Sequence, residues 1–275
     1  MFNEDLLSGK RVLVTGGGSG LGKAIAARAV RLGAQVTLCG RRLEVLQSAA
    51  AEFDAFGRHP VQAIACDLRE APQVNDMMEQ VFAQGGLDVL VNNAAGTILS
   101  PTQRLSARAV DAVLRTSLNG ALYATLEAGR RWIDLGRPGV LMYTLAAGFE
   151  DGRPFMVPLT VAKGGLHALL RSLAVEWGPH GIRTIGVAPG NFPTPGAAAR
   201  LARDRAVDPV AETPLGRVGR QEELADLYAF LMSDLAGFIT GEVVTIDGGK
   251  GLRTNGVDDL FAWAPAQWDA LRPTR

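Results

Sequence analysis

The chain has two cysteines in 275 residues, Cys39 and Cys66, and three histidines, His59, His167 and His180. Two cysteines set in apolar runs exclude a disulfide framework and a cysteine-rich zinc site, and both are expected to be buried as small hydrophobes. The three histidines are scattered and lack metal-ligand spacing, so each is expected to be structural or exposed. No apolar run approaches the roughly 18 residues that suggest a helical membrane span. The opening MFNEDLLSGKR has acids where a secretory signal has bases, and the closing RPTR is neither a prenylation box nor a peroxisomal address, so a cytoplasmic location is the expectation. A charge surplus is also lacking: 28 basic residues meet 28 acidic ones, which removes the signature of a dedicated nucleic-acid binder.

What is there is a globular composition, 47% hydrophobic and 20% charged, over a length compatible with a single α/β domain spanning 1–275. Short β-branched runs alternate with amphipathic stretches. RVLVT (11–15), QVTLC (35–39), VQAIA (61–65), LDVLVNN (87–93), GVLMYT (139–144), IRTIGVA (182–188) and a last EVVTIDGG are separated by helical patterns, including 106–134 and about 158–177. Strands joined by helical crossovers run parallel and are buried on both faces, which predicts a doubly wound parallel sheet of about seven strands with helices on both sides, a Rossmann-type α/β fold. The Pro-, Gly- and Ala-rich stretch 190–214 breaks the alternation and reads as a lid.

The segment VTGGGSGLGKAI places Thr15, Gly16, Gly18, Ser19, Gly20, Leu21 and Gly22 at the junction of the first strand and first helix. Glycines there permit a tight turn and a close backbone approach to a pyrophosphate, and the helix N-terminus faces its charge. After the second strand stand Arg41 and Arg42, where a binder of the unphosphorylated cofactor usually has an acid for the ribose hydroxyls. Two guanidiniums suit a 2′-phosphate and favour NADP(H), the competing reading being a solvated helix start. Asp67 in ACDL, followed by Leu68, suits the adenine amino group or a simple turn.

TGGGSGLG at 15–22, CDL at 66–68, NNAAG at 92–96 and Asn119 together resemble the short-chain dehydrogenase/reductase family over nearly the whole chain. The resemblance implies that Asn93, Ala94 and Gly96 wall the adenine side, that Asn119 supports an active-site water network, and that Lys163 meets the nicotinamide ribose. Pro189, Gly190 and Thr194 match the family's cofactor-contacting lid entry, Thr194 being otherwise a turn residue. NNAAGTILSPTQRLS, SLNGALYATLEAG, LAVEWGPHGIR and the 26 residues after Gly249, with QWDAL, are similar to the 2,4-dienoyl-CoA reductase branch, which uses NADPH. Members commonly pair through their long helices, here 106–134 and 158–177, so a homodimer or homotetramer is implied.

One departure is decisive for chemistry. The family's usual centre is a Tyr-x-x-x-Lys pair with a serine on the preceding strand, the lysine lowering the tyrosine pKa so that it can exchange a proton with a carbonyl oxygen. Here Lys163 matches, but the tyrosine position is Leu159, and the strand offers Thr144 and Leu145 in place of serine. The dienoyl-CoA branch takes a tyrosine from the loop before the helix, yet GFEDGRPFMVP at 148–158 has none; its Glu150 and Asp151 read as surface charge. Tyr143 reads as buried strand. Loss of the hydroxyl argues against ordinary ketone reduction, whereas hydride addition to a conjugated thioester needs only enolate stabilisation, expected from Asn119, Thr144 or ordered water with Lys163 alongside.

The leading expectation is an NADPH-dependent reductase of an enoyl or dienoyl thioester in fatty acid metabolism. Two other readings stay open: a carbonyl reductase or alcohol dehydrogenase with an atypical proton donor, and a noncatalytic NADP-binding sensor or partner subunit. Arg104, Arg200 and Arg203 are available for the phosphates of a thiol carrier, and the tail from Lys250 either caps the substrate pocket or docks on a neighbouring subunit.

Overall fold

The computed structural model describes residues 3–194, 208–253, 260 and 262–270. Seven strands, β1 (Arg11–Thr15), β2 (Gln35–Gly40), β3 (Gln62–Ala65), β4 (Val89–Asn92), β5 (Gly139–Thr144), β6 (Ile182–Pro189) and β7 (Glu242–Ile246), form one sheet in the order β3-β2-β1-β4-β5-β6-β7. Every pairing is parallel. Among the described residues the α-helices are α1 (Gly20–Arg31), α2 (Leu43–Asp54), α3 (Ala71–Ala83), α4 (Ala107–Leu114), α5 (Gly120–Asp134), α6 (Val157–Glu176), α7 (Gln221–Met232) and a short α8 (Pro265–Asp269). The predicted doubly wound sheet is the observed one.

The two faces of the sheet feed two cores, as a period of two along each strand requires. Val12, Val14, Val36 and Leu38 pack with α1, α2 and α7, while Leu13, Cys39, Leu90, Leu141 and Tyr143 pack with α3, α5 and α6. Trp132 on α5 is wholly buried, its indole N–H donating to the Leu87 carbonyl at 2.6 Å, so its polar handle is satisfied as the apolar body leaves water. Both cysteines and Tyr143 are buried as expected. No helix among the described residues is long and apolar enough to cross a membrane.

The helical stretch expected at 106–134 is observed at 107–134, with α4 and α5 joined through a π-helical turn at Arg115–Asn119. Within the turn the Thr116 hydroxyl bonds back to Ala112 O at 3.0 Å, and just after it Gly120 packs on Leu68, where a β-carbon would lie 2.8 Å from the side chain and 3.0 Å from the carbonyl oxygen. The chain order reverses beside β1, between β1 and β4, so the carboxyl ends of these strands open a crevice that both loops line. Of the expected lid at 190–214, residues 195–207, with Arg200 and Arg203, lie outside the described residues, as do residues 254–259, 261 and 271–275 of the tail.

Candidate active site and cofactor cleft

The turn between β1 and α1 has backbone only glycine accepts readily: Gly16 and Gly20 have φ of 68° and 55°. At Gly22 the constraint is contact, because a β-carbon would sit 2.4 Å from the Gly16 carbonyl oxygen and 2.5 Å from Asn93 Nδ2. The N-cap of α1, Ser19, makes no side-chain cap, and the first turn has no acid. The free N–H groups and positive end of the helix dipole are thus left for an anion, so the residues present fit a pyrophosphate. Gly18 packs against Val45 and Leu46 of α2, and Leu21 is half-buried against the core.

Thr15 is placed differently from its predicted role. It is buried, and its hydroxyl bonds to Val91 O and accepts from the amides of Asn93 and Ala94, at 3.0 to 3.2 Å. It therefore fastens the segment after β4 to β1 and leaves ligand contact to the glycines. Asn93 completes the fastening by donating to Thr15 O at 3.0 Å. Gly96 exchanges hydrogen bonds with Ser117 Oγ in the π turn, at 2.9 and 3.2 Å. Ser117 is buried and was not singled out by the sequence, although it lies two residues from Asn119.

Arg41 and Arg42 are exposed at the start of α2 and make no ion pair among the described residues, so both guanidiniums remain available to an incoming anion. Asp67 is engaged by Arg69 through both carboxylate oxygens, with contacts of 2.9, 3.0 and 2.5 Å, and this pairing holds its carboxyl below the ordinary range. An adenine amino group at Asp67 would share an oxygen with Arg69. Leu68 is buried against Gly120.

Lys163 is 3% exposed, and its Nζ donates to the carbonyl of Thr144 at 2.5 Å. Burial pulls its pKa down to about 8. Leu159 stands one turn earlier on α6, half-buried, where a hydroxyl is absent. The Thr144 hydroxyl is committed at 2.6 Å to Tyr228 of α7, with a long 3.4 Å contact to Asn93 Oδ1. Thr144 therefore contributes its carbonyl to Lys163, and its hydroxyl lies in the core, away from the predicted role at the substrate. Burial raises the Tyr228 phenol above its ordinary value. Asn119 closes the π turn, half-buried, with its amide unpartnered among the described residues; Leu118 beside it packs on Gly165 of α6, two residues on from Lys163.

Two loops rim this site at the carboxyl ends of β4 and β5. They are joined by Ser100 N–H donating to Phe155 O at 2.9 Å, and they present Leu99 and Phe155, 48% and 56% exposed. Phe155 has φ of 65°, a left-handed conformation costly to a bulky residue. Glu150 is exposed, as expected, and lies 3.8 Å from His167. At the lid entry, Gly190 packs against Asp247, where a β-carbon would meet Cβ at 2.4 Å, and Pro189 O accepts from Ala147 N–H at 3.0 Å. Thr194 lies over the glycine turn, its side chain 3.6 Å from a β-carbon placed on Gly20.

Comparison with known proteins agrees with this arrangement. The family described as enoyl-(acyl carrier protein) reductase matches residues 16–250. A Bacillus subtilis protein named as a probable 2,4-dienoyl-CoA reductase is 40% identical over 250 residues, 88% of this chain and 97% of its own. A Caenorhabditis elegans protein named as a probable (3E)-enoyl-CoA-producing 2,4-dienoyl-CoA reductase is 35% identical over 280 residues, 98% of this chain and 90% of its own. A gluconate 5-dehydrogenase from Burkholderia cenocepacia, solved with NADP and tartrate, superposes with a TM-score of 0.84 at 28% identity, covering 91% of this chain and 98% of its own. With the fold, the glycine turn and Lys163 in place, this chain belongs to the short-chain dehydrogenase/reductase family of nicotinamide-dependent oxidoreductases.

Proposed function

We propose that the protein is an NADPH-dependent reductase of a conjugated acyl thioester, an enoyl or dienoyl substrate. The observation that carries this reading is the chemistry around Lys163: Leu159 has no proton to give, and the Thr144 hydroxyl is turned into the core toward Tyr228. A ketone needs a proton at its oxygen as the bond order changes. A conjugated thioester needs only its enolate oxygen stabilised, and the carbon can be protonated later from water. NADPH, when bound, supplies the hydride. The chain's own residues do the rest: the unpartnered Asn119 amide donates a hydrogen bond to the thioester oxygen, and the buried Lys163 ammonium supplies positive charge beside it.

Arg41 and Arg42, with no acid in their place, support the phosphorylated cofactor over NADH. The exposed Leu99 and Phe155 at the rim support an apolar acyl chain over a polyol, since leaving large apolar groups in water is unfavourable unless a ligand covers them. The dienoyl-CoA reductase descriptions of the relatives support the same substrate class. The test is NADPH oxidation by the purified protein with a short 2,4-dienoyl-CoA, run beside NADH and a panel of ketones and sugar acids. Turnover confined to the thioester with NADPH is expected; turnover with ketones or sugar acids alone would reject the assignment. Tight NADPH binding without turnover of any substrate would favour a noncatalytic sensor.

A further inference from the structure

At the opposite, amino-terminal edge of the sheet a second cleft opens, of about 220 Å³. Its floor is the face of β1, β2 and β3 that looks toward α3, where Arg11, Gln35, Thr37 and Gln62 stand at or near the first residue of each strand. Gln84, just past the end of α3, and half-buried His59 form its sides. The volume equals several waters at about 30 Å³ each, enough for a small anion with its polar head and part of its hydration.

Arg11 is the anomaly here. Its Nε is buried with no hydrogen-bond partner, and its guanidinium makes no ion pair or hydrogen bond among the described residues. Other half-buried arginines are paired: Arg28 with Asp226, Arg69 with Asp67, Arg131 with Glu127, and Arg183 with three carbonyls. The guanidinium lies flat on the turn after α3, within 2.9 Å of where a β-carbon on Gly85 would be, and Gly85 and Gly86 have φ of 118° and 102°. From the other side of that turn Arg137 Nη1 comes to 3.2 Å from a β-carbon position on Gly86, and it too is unpaired among the described residues. Asp88 accepts the Arg11 backbone N–H at 2.7 Å through Oδ2. The Asp88 carboxylate thus faces the Arg11 backbone through one oxygen, and exposed Arg137 stands outside the cleft lining.

A half-desolvated cation without an acceptor costs free energy that a bound anion returns, and the Gln35, Gln62 and Gln84 amides around it can donate to oxygen acceptors, the Thr37 hydroxyl donating to Gln62 Oε1 at 3.5 Å. We propose that this cleft is an oxyanion-binding site, separate from the cofactor crevice, for a small polar ligand bearing a carboxylate or a phosphate. It is independent of the catalytic assignment, because the two sites lie at opposite ends of the same strands.

The test is isothermal titration calorimetry on protein saturated with NADPH, so that Arg41 and Arg42 are occupied, in a chloride buffer, with inorganic phosphate in one arm and succinate in the other. Saturable millimolar binding of at least one is expected, and the arm that binds identifies the head group. Arg11→Gln is expected to weaken it about tenfold or more, the scale of one charge-assisted contact. Gln62→Glu, at an exposed strand position, places a competing carboxylate in the cleft; it is expected to weaken binding likewise and keeps the test valid where Arg11→Gln does not fold. Neither is expected to change NADPH affinity. No saturable heat from either anion, or undiminished binding in Gln62→Glu together with any folded Arg11→Gln protein, overturns the proposal.

Discussion

Lys163 loses its charge inside the pH range in which enzymes are assayed, because burial favours the neutral amine and the one hydrogen bond to Thr144 O does not offset it. The unfolded chain keeps this proton to about 10.5 and the folded chain to about 8. Below 8 both states are protonated and the burial penalty is fully present; between 8 and 10.5 the unfolded state binds more protons, so stability rises with pH. Urea melts of cofactor-free protein should therefore show wild type gaining on Lys163→Met across that window, by an amount on the order of 3 kcal/mol. Turnover that depends on the ammonium should fall over the same interval, seen as a basic limb in kcat/KM. At Arg41 and Arg42, replacement of both by alanine is expected to raise the KM for NADPH about tenfold to a hundredfold, on charge-assisted bonds of about 1.5–3 kcal/mol, and to leave NADH unchanged. Steady-state kinetics with both cofactors separate that from a general loss of fold. Lys163 and the two arginines were legible as residue types in the sequence. That the Thr144 hydroxyl faces Tyr228, 84 residues away in the chain, was not, because a strand residue's partner across the core is set by helix placement.

At the scale of elements, the β1–α1 turn is the most constrained part of the cleft. Gly22→Ala places a methyl group against the Gly16 carbonyl and the Asn93 amide; Gly16 is held through its N–H to Cys39 O and the Asn93 amide through Thr15 O, so neither can give way cheaply. A loss of about 1–3 kcal/mol is expected from the overpacking, with NADPH affinity falling more than stability. Chemical denaturation and fluorescence titration of the nicotinamide would report the two separately. The strands and most helices were readable because residue spacing of two and of 3.6 is a local property. The π turn at Arg115–Asn119 was invisible to that reading: the helical pattern continues on either side, and no spacing along the chain marks the added residue. Ser117 went unnoticed for the same reason, its hydrogen bonds being to Gly96 in a different loop.

For the whole molecule, a ligand that binds only the folded state stabilises it by mass action. NADPH at a hundred times its Kd adds about 2.7 kcal/mol, which for a chain of this size raises Tm by about 5 °C, and NADH at the same concentration is expected to raise it less. A thermal melt with each cofactor would show an equal shift if the arginines play no part in selection. The sequence by itself determined the parallel sheet, its two buried faces and the glycine turn, because hydrophobic period and the freedom of glycine are written locally in the chain. Only the tertiary structure decided which polar groups are left for chemistry. It spends the Thr144 hydroxyl on Tyr228 and the Asp67 carboxylate on Arg69, and it leaves Asn119, Arg41 and Arg42 open, since hydrogen-bond partners are assigned by contacts between distant segments and no spacing rule records them.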